Sequence, residues 1–140
     1  MSPVTILVVD DNDLFRLELV SFLRKRGFTV SEARSGDDGL YLARKRTPDI
    51  VLTDLVMPNL DGIDEIKRLR IELPKTKIFA MSGGGRRKNV DLLSLAEKMG
   101  ADAVFEKPLN MMAVVNAIEG TGRKPPVGAT GAGSIDSKTA

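Results

Sequence analysis

Three carboxylates, one hydroxyl and one ammonium carry the chemistry legible in this chain. Asp10 and Asp11 follow the apolar run 4–9, and Asp54 follows the run 50–53. Ser82 follows the run 78–81, and Lys107 stands just past 103–105 and directly before Pro108. Carboxylates brought close together repel one another and need a cation. An oxygen-only ligand set selects a hard ion, and Mg2+ fits because it uses few carboxylates and keeps several waters. The 140 residues include no cysteine and no histidine. That excludes thiolate and imidazole metal sites, Ser-His-Asp catalysis and a phosphohistidine carried by this chain itself. The work falls to Asp, Glu, Ser, Thr and Lys.

Taken singly, each of these signals has an ordinary structural explanation. An Asp-Asp pair after a strand is commonly a solvated turn or a helix cap. Ser82-Gly83-Gly84-Gly85 is a loop, and Arg86-Arg87-Lys88 reads as a solvated helix entry. Met111 and Met112 read as core or surface of a last helix. The functional reading gains weight because the polar residues all fall at the same ends of four different strands.

The elements that must position them alternate along the chain. Residues 4–9 read as a strand buried on both faces, and 14–26 as an amphipathic helix closed by Gly27. Residues 28–33 alternate like a half-exposed strand, and Ser35 caps a helix running to 46. A third strand spans 50–53; the stretch 57–62 has turn chemistry, and 63–73 forms a helix with Ile63, Ile66, Leu69 and Leu73 on one face. A fourth strand at 78–81 leads to a helix over 89–99 ended by Gly100, and a fifth at 103–105 to a helix over 111–118 capped by Asn110. Five strands each followed by a helix predict an α/β fold with a parallel sheet and helices on both faces. Ligands in such sheets bind beyond the carboxyl ends of the strands.

The chain resembles the receiver domain of bacterial two-component response regulators. The resemblance rests on Val8-Val9-Asp10-Asp11-Asn12, on Asp54 through Gly62, on Ala80-Met81-Ser82-Gly83 and on Gly100-Ala101-Asp102 through Lys107-Pro108, and covers about residues 4–119. It implies a flavodoxin-like doubly wound sheet in the order 2-1-3-4-5 with five helices. It also implies that Asp54 is the phosphoacceptor and that Asp10, Asp11, Asp54 and the backbone carbonyl of Val56 hold Mg2+. Lys107 and Ser82 would contact the phosphoryl oxygens, Gly83 would belong to the switch loop, and the Lys107–Pro108 peptide is expected to be cis. The implied partners are a sensor histidine kinase or phosphotransfer protein upstream and a target protein downstream. The chain would be no enzyme beyond its own phosphorylation and dephosphorylation. One departure bears on the switch: the aromatic residue expected three positions before the lysine is Val104, with Phe105 on the opposite face. Activation is therefore expected to act through residues 82–87, where three consecutive glycines loosen the backbone.

Residues 1–120 are assigned to the receiver domain and 121–140, rich in Gly, Pro, Ala, Ser and Thr, to a disordered tail. Three of the 21 basic and one of the 19 acidic side chains fall in that tail, leaving the domain with no net charge. Direct nucleic-acid binding is not expected on that basis. No apolar run is long enough for membrane insertion, and a cytoplasmic location is the default. With no room for an output domain, the chain would signal by protein contact or relay its phosphoryl group, unless it is the receiver portion of a longer regulator. A Mg2+-dependent phosphatase with an Asp nucleophile is disfavoured because a second Asp two residues on is missing: Val56 stands there. A flavin-binding flavodoxin is disfavoured because Asp10-Asp11 replaces the hydroxyl- and glycine-rich loop that holds a phosphate.

Overall fold

The computed structural model describes residues 3–56, 62–83 and 86–121, without the side chains of 86–90. The stretch 57–61 read as a turn, Gly84, Gly85 and the stretch from 122 onward read as a disordered tail lie outside the described residues. The elements run β1 (Thr5–Val9), α1 (Asp13–Lys25), β2 (Thr29–Ala33), α2 (Gly36–Lys45), β3 (Ile50–Asp54), α3 (Gly62–Glu72), β4 (Lys77–Ser82), α4 (Arg86–Met99), β5 (Ala103–Glu106) and α5 (Met111–Gly120). The sheet is parallel throughout, in the order β2-β1-β3-β4-β5.

Strand residues alternate between two cores, as the period of two requires. Ile6, Val8, Ile50, Leu52, Phe79 and Met81 face one side, where Leu19, Val20 and Leu23 of α1 and Val114 and Ile118 of α5 cover them. Leu7, Val9, Val51, Ile78 and Ala80 face the other, covered by Leu40 and Ala43 of α2, Ile63, Ile66 and Leu69 of α3, and Ala96 of α4. Because the central strands are buried on both faces, they read as continuous apolar runs rather than alternations. The edge strand β2 exposes Thr29, Ser31 and Glu32, so the expected alternation holds from Thr29 to Ser31 and breaks at Glu32, whose carboxylate reaches out to Arg16.

Local chemistry sets most boundaries. Asn12, Ser35 and Asn110 cap α1, α2 and α5, their side-chain oxygens accepting from the backbone N–H of Phe15, Asp38 and Ala113. Gly27 and Gly100 adopt φ of 97° and 125° just past the ends of α1 and α4, a conformation that strains any residue with a Cβ. Two expectations shift. The fourth helix begins at Arg86, three residues earlier than its apolar periodicity indicates. In α1 the apolar spread is wider than the buried stripe: Leu14 and Leu17 are exposed while Arg16 is buried.

Candidate functional site at the carboxyl ends of the strands

The register brings the chemistry-bearing residues to one rim. Val9 pairs with Thr53 and Asp54 with Met81, so Asp10 and Asp54 leave neighbouring strands at the same level. Ser82 ends β4 opposite Glu106, and the Lys107 N–H donates to the Ser82 carbonyl at 2.9 Å, which fixes where the lysine leaves β5. The Lys107–Pro108 peptide is cis.

Asp10 is fully buried. One carboxylate oxygen accepts from the Asn12 N–H at 2.9 Å, the other from the Lys107 ammonium at 2.7 Å, and its backbone carbonyl accepts from the Arg16 guanidinium at 2.7 Å. Arg16 also reaches Glu32 and Asp13, so the loop after β1 is tied to both β2 and the first turn of α1. Asp54 is buried; it lies 3.6 Å from the Lys107 ammonium and accepts from the Val56 N–H at 3.3 Å. Its carboxyl pKa is pushed up to about 6, first by burial and then by the Asp10 charge, against the opposing pull of Lys107 and the Val56 N–H. Asp11 is exposed beside them.

Oxygen atoms of Asp10, Asp11 and Asp54 all lie within 4.8 Å of one another. Three carboxylates so placed, with one ammonium beside them among the described residues, leave uncompensated negative charge, which adds to burial in lifting the Asp54 pKa. The donor set is all oxygen, so the site suits a hard divalent cation. Asp54 and Val56 meet through the Val56 N–H, and Val56 itself is half exposed at the rim.

Ser82 is fully buried at the end of β4. Gly83 is placed by close approach rather than by a left-handed backbone: a Cβ there would lie 3.0 Å from Lys107 Cβ and Cδ. The lysine stem runs over that glycine, and its ammonium sits over the Phe15 ring, 4.0 Å from the centroid. Val104 and Phe105 pack on opposite faces of the sheet, and Phe105 tilts against Phe79 in the core at a centroid distance of 5.7 Å.

Two residues near the site were not singled out by sequence reasoning. Phe15 counted only as one apolar position of α1. Glu65 falls unnamed within the helix read over 63–73, yet it is fully buried. One of its oxygens accepts from the Thr53 hydroxyl at 2.7 Å and the other has no hydrogen-bond partner among the described residues. Burial first, and then the Asp54 and Asp37 charges, push its carboxyl up to about 8 against the Thr53 hydrogen bond. The available signal was its spacing: Glu65 stands four residues before Leu69, on the buried side of the helix.

Known proteins resemble this chain in sequence and in fold. Sporulation initiation phosphotransferase F of Bacillus subtilis is 29% identical over 114 residues, covering 81% of this chain and 90% of that protein. The transcriptional regulatory protein PdtaR of Mycobacterium tuberculosis is 35% identical over 121 residues, 84% of this chain but 56% of its own length. Among solved structures, the CheY-like receiver domain protein of Methanospirillum hungatei JF-1 superposes with a TM-score of 0.79 at 22% identity, over 86% of this chain and 94% of that one. The receiver domain of NtrX from Brucella abortus superposes with a TM-score of 0.75 at 27% identity, over 81% and 94%. Residues 6–119 match the response regulator receiver domain, and with five parallel strands in the order 2-1-3-4-5 beneath an acidic rim, the chain belongs to that family of two-component signalling domains.

Proposed function

We propose that this receiver domain is switched by transfer of a phosphoryl group to Asp54 in the presence of Mg2+. The observation that carries the reading is the convergence of Asp10, Asp11, Asp54 and Lys107 at one rim, three carboxylates with the Lys107 ammonium beside them. Asp11, Asp54, the Val56 carbonyl and, through water, Asp10 would hold the ion. When bound, it neutralises charge on the carboxylates and on the incoming phosphoryl oxygens.

The chain's own residues supply the rest. An Asp54 carboxylate oxygen attacks phosphorus in line, the new O–P bond forming as the bond from phosphorus to the donor breaks. The donor leaves with that electron pair: an imidazole nitrogen from a phosphohistidine, or a carboxylate from a small acyl phosphate. Lys107, poised 3.6 Å from Asp54, turns from Asp10 toward the phosphoryl oxygens, and the Ser82 hydroxyl donates to another of them. The acyl phosphate is later hydrolysed by water at the same site. The new charge favours a rearrangement of the segment after β4, which a target protein reads. The donor is a sensor histidine kinase or a phosphotransfer protein, and the output is protein contact or onward relay.

The test is labelling by acetyl phosphate. Intact-mass analysis is expected to show one added phosphoryl group with Mg2+, none with chelator and none in Asp54→Ala. Equal labelling of that variant would overturn the assignment.

A further inference from the structure

We propose that Phe15 is a positioning residue for phosphoryl transfer: its ring face holds the Lys107 ammonium at the site while that group changes partners. The inference rests on the Asp54 reading above and adds a regulator of the lysine's placement. Besides the Asp54 carboxylate 3.6 Å from its ammonium, which becomes the phosphorylated group itself, Lys107 has three contacts that define its position. Its stem lies against Gly83, its ammonium pairs with Asp10 at 2.7 Å, and the same ammonium lies over Phe15 at 4.0 Å from the ring centroid. The side chain is only 19% exposed, so the ring acts on a partly desolvated charge, where attraction to an aromatic face is strongest.

The three contacts differ in what happens when the site is used. Asp10 is needed by the cation, so its ion pair with Lys107 must loosen. Gly83 touches only the stem. An ammonium on a flexible four-carbon chain, released from its carboxylate, gains rotamer freedom and drifts to water. The Phe15 ring offers attraction without a formal charge and without a fixed direction, and it reaches to about 6 Å from the centroid. The ammonium can therefore slide from Asp10 toward a phosphoryl oxygen without leaving the ring. Phe15 is itself anchored: its N–H donates to the Asn12 side chain at 2.9 Å, and the Asn12 N–H donates to Asp10, which ties the ring to the acidic loop. Its side chain also packs against the core beneath α1. Because transfer scales with the fraction of molecules whose ammonium is in place, a weaker ring contact slows transfer without altering the carboxylates.

The experiment replaces Phe15 in the full chain by phenylalanines carrying one, two and three fluorines. Each fluorine weakens the ring's attraction for a cation while nearly preserving its shape. Two quantities are read: the rate of Asp54 labelling by acetyl phosphate with Mg2+, and, in Mg2+-free protein, the ring-current displacement of the Lys107 ε-methylene protons by NMR. The rate is expected to fall stepwise, by roughly two- to tenfold at three fluorines. The upfield displacement present with Phe15 is expected to shrink along the series and to vanish in Phe15→Leu. A labelled wild type with a flat series in rate overturns the positioning role alone. An unlabelled wild type overturns it together with the Asp54 reading.

Discussion

Replacing Glu65 by glutamine isolates the effect of one buried acid on stability. Glu65 is fully buried against Thr53, and its carboxyl is pushed from an ordinary 4.5 up to about 8, with burial the largest cause. The folded protein thus holds a proton there that the unfolded chain releases at lower pH. Stability from this group is fully present below pH 4.5 and is lost as pH rises to about 8. At ~1.4 kcal/mol per pH unit the loss reaches on the order of 5 kcal/mol over the whole window, and about 3 kcal/mol by pH 7. Glutamine keeps an acceptor for the Thr53 hydroxyl and never ionises. Near pH 4.5 the two proteins should therefore be within about 1 kcal/mol of each other. At pH 8.5 the variant should be the more stable by several kcal/mol. Urea unfolding in Mg2+-free buffer across this range, followed by far-UV circular dichroism because the chain has no Trp, measures the difference. Parallel pH profiles, or a wild type that gains on the variant as pH rises, would refute the reasoning.

Three further outcomes are expected. In Mg2+-free protein the Asp54 carboxyl carbon should titrate near pH 6 by NMR, moving lower in Asp10→Asn and higher in Lys107→Met, since the first removes a raising charge and the second a lowering one. Lys107→Ala should slow phosphorylation yet leave Mg2+ affinity unchanged or tighter by calorimetry, because the ammonium now occupies an Asp10 oxygen at 2.7 Å; a large loss of affinity would contradict this. Gly62→Ala should be strongly destabilising, by about 2 kcal/mol or more in urea midpoints, because its Cβ would lie 2.5 Å from Leu55 Cα, a backbone atom that cannot rotate away.

Features governed by neighbours within a few residues were legible before any coordinates. Ser35 and Asn110 act as helix caps, and Gly27 and Gly100 end their helices with positive φ. The strand runs and their alternation with helices implied a parallel sheet, and resemblance supplied its order. Asp10, Asp11, Asp54, Ser82 and Lys107 were placed at one rim because each follows a strand, and the structure puts them there. Gly83 was read as a source of backbone freedom; only the structure adds that it makes room for the stem of Lys107, a residue distant in sequence.

The sequence by itself determined the elements, their caps and the inventory of groups at the strand ends, because these depend on periodicity and short-range hydrogen bonding. Tertiary structure alone decided which partners those groups take. It gave Lys107 to Asp10 more closely than to Asp54, set its ammonium over Phe15, and buried Glu65 behind Thr53. In the linear chain an apolar helix position shows nothing of the role of Phe15, and the spacing of Glu65 from Leu69 shows only that it lies on the buried side of α3. They arise from charges and rings meeting across a sheet, where distance and burial, rather than residue type, set the strength of each interaction.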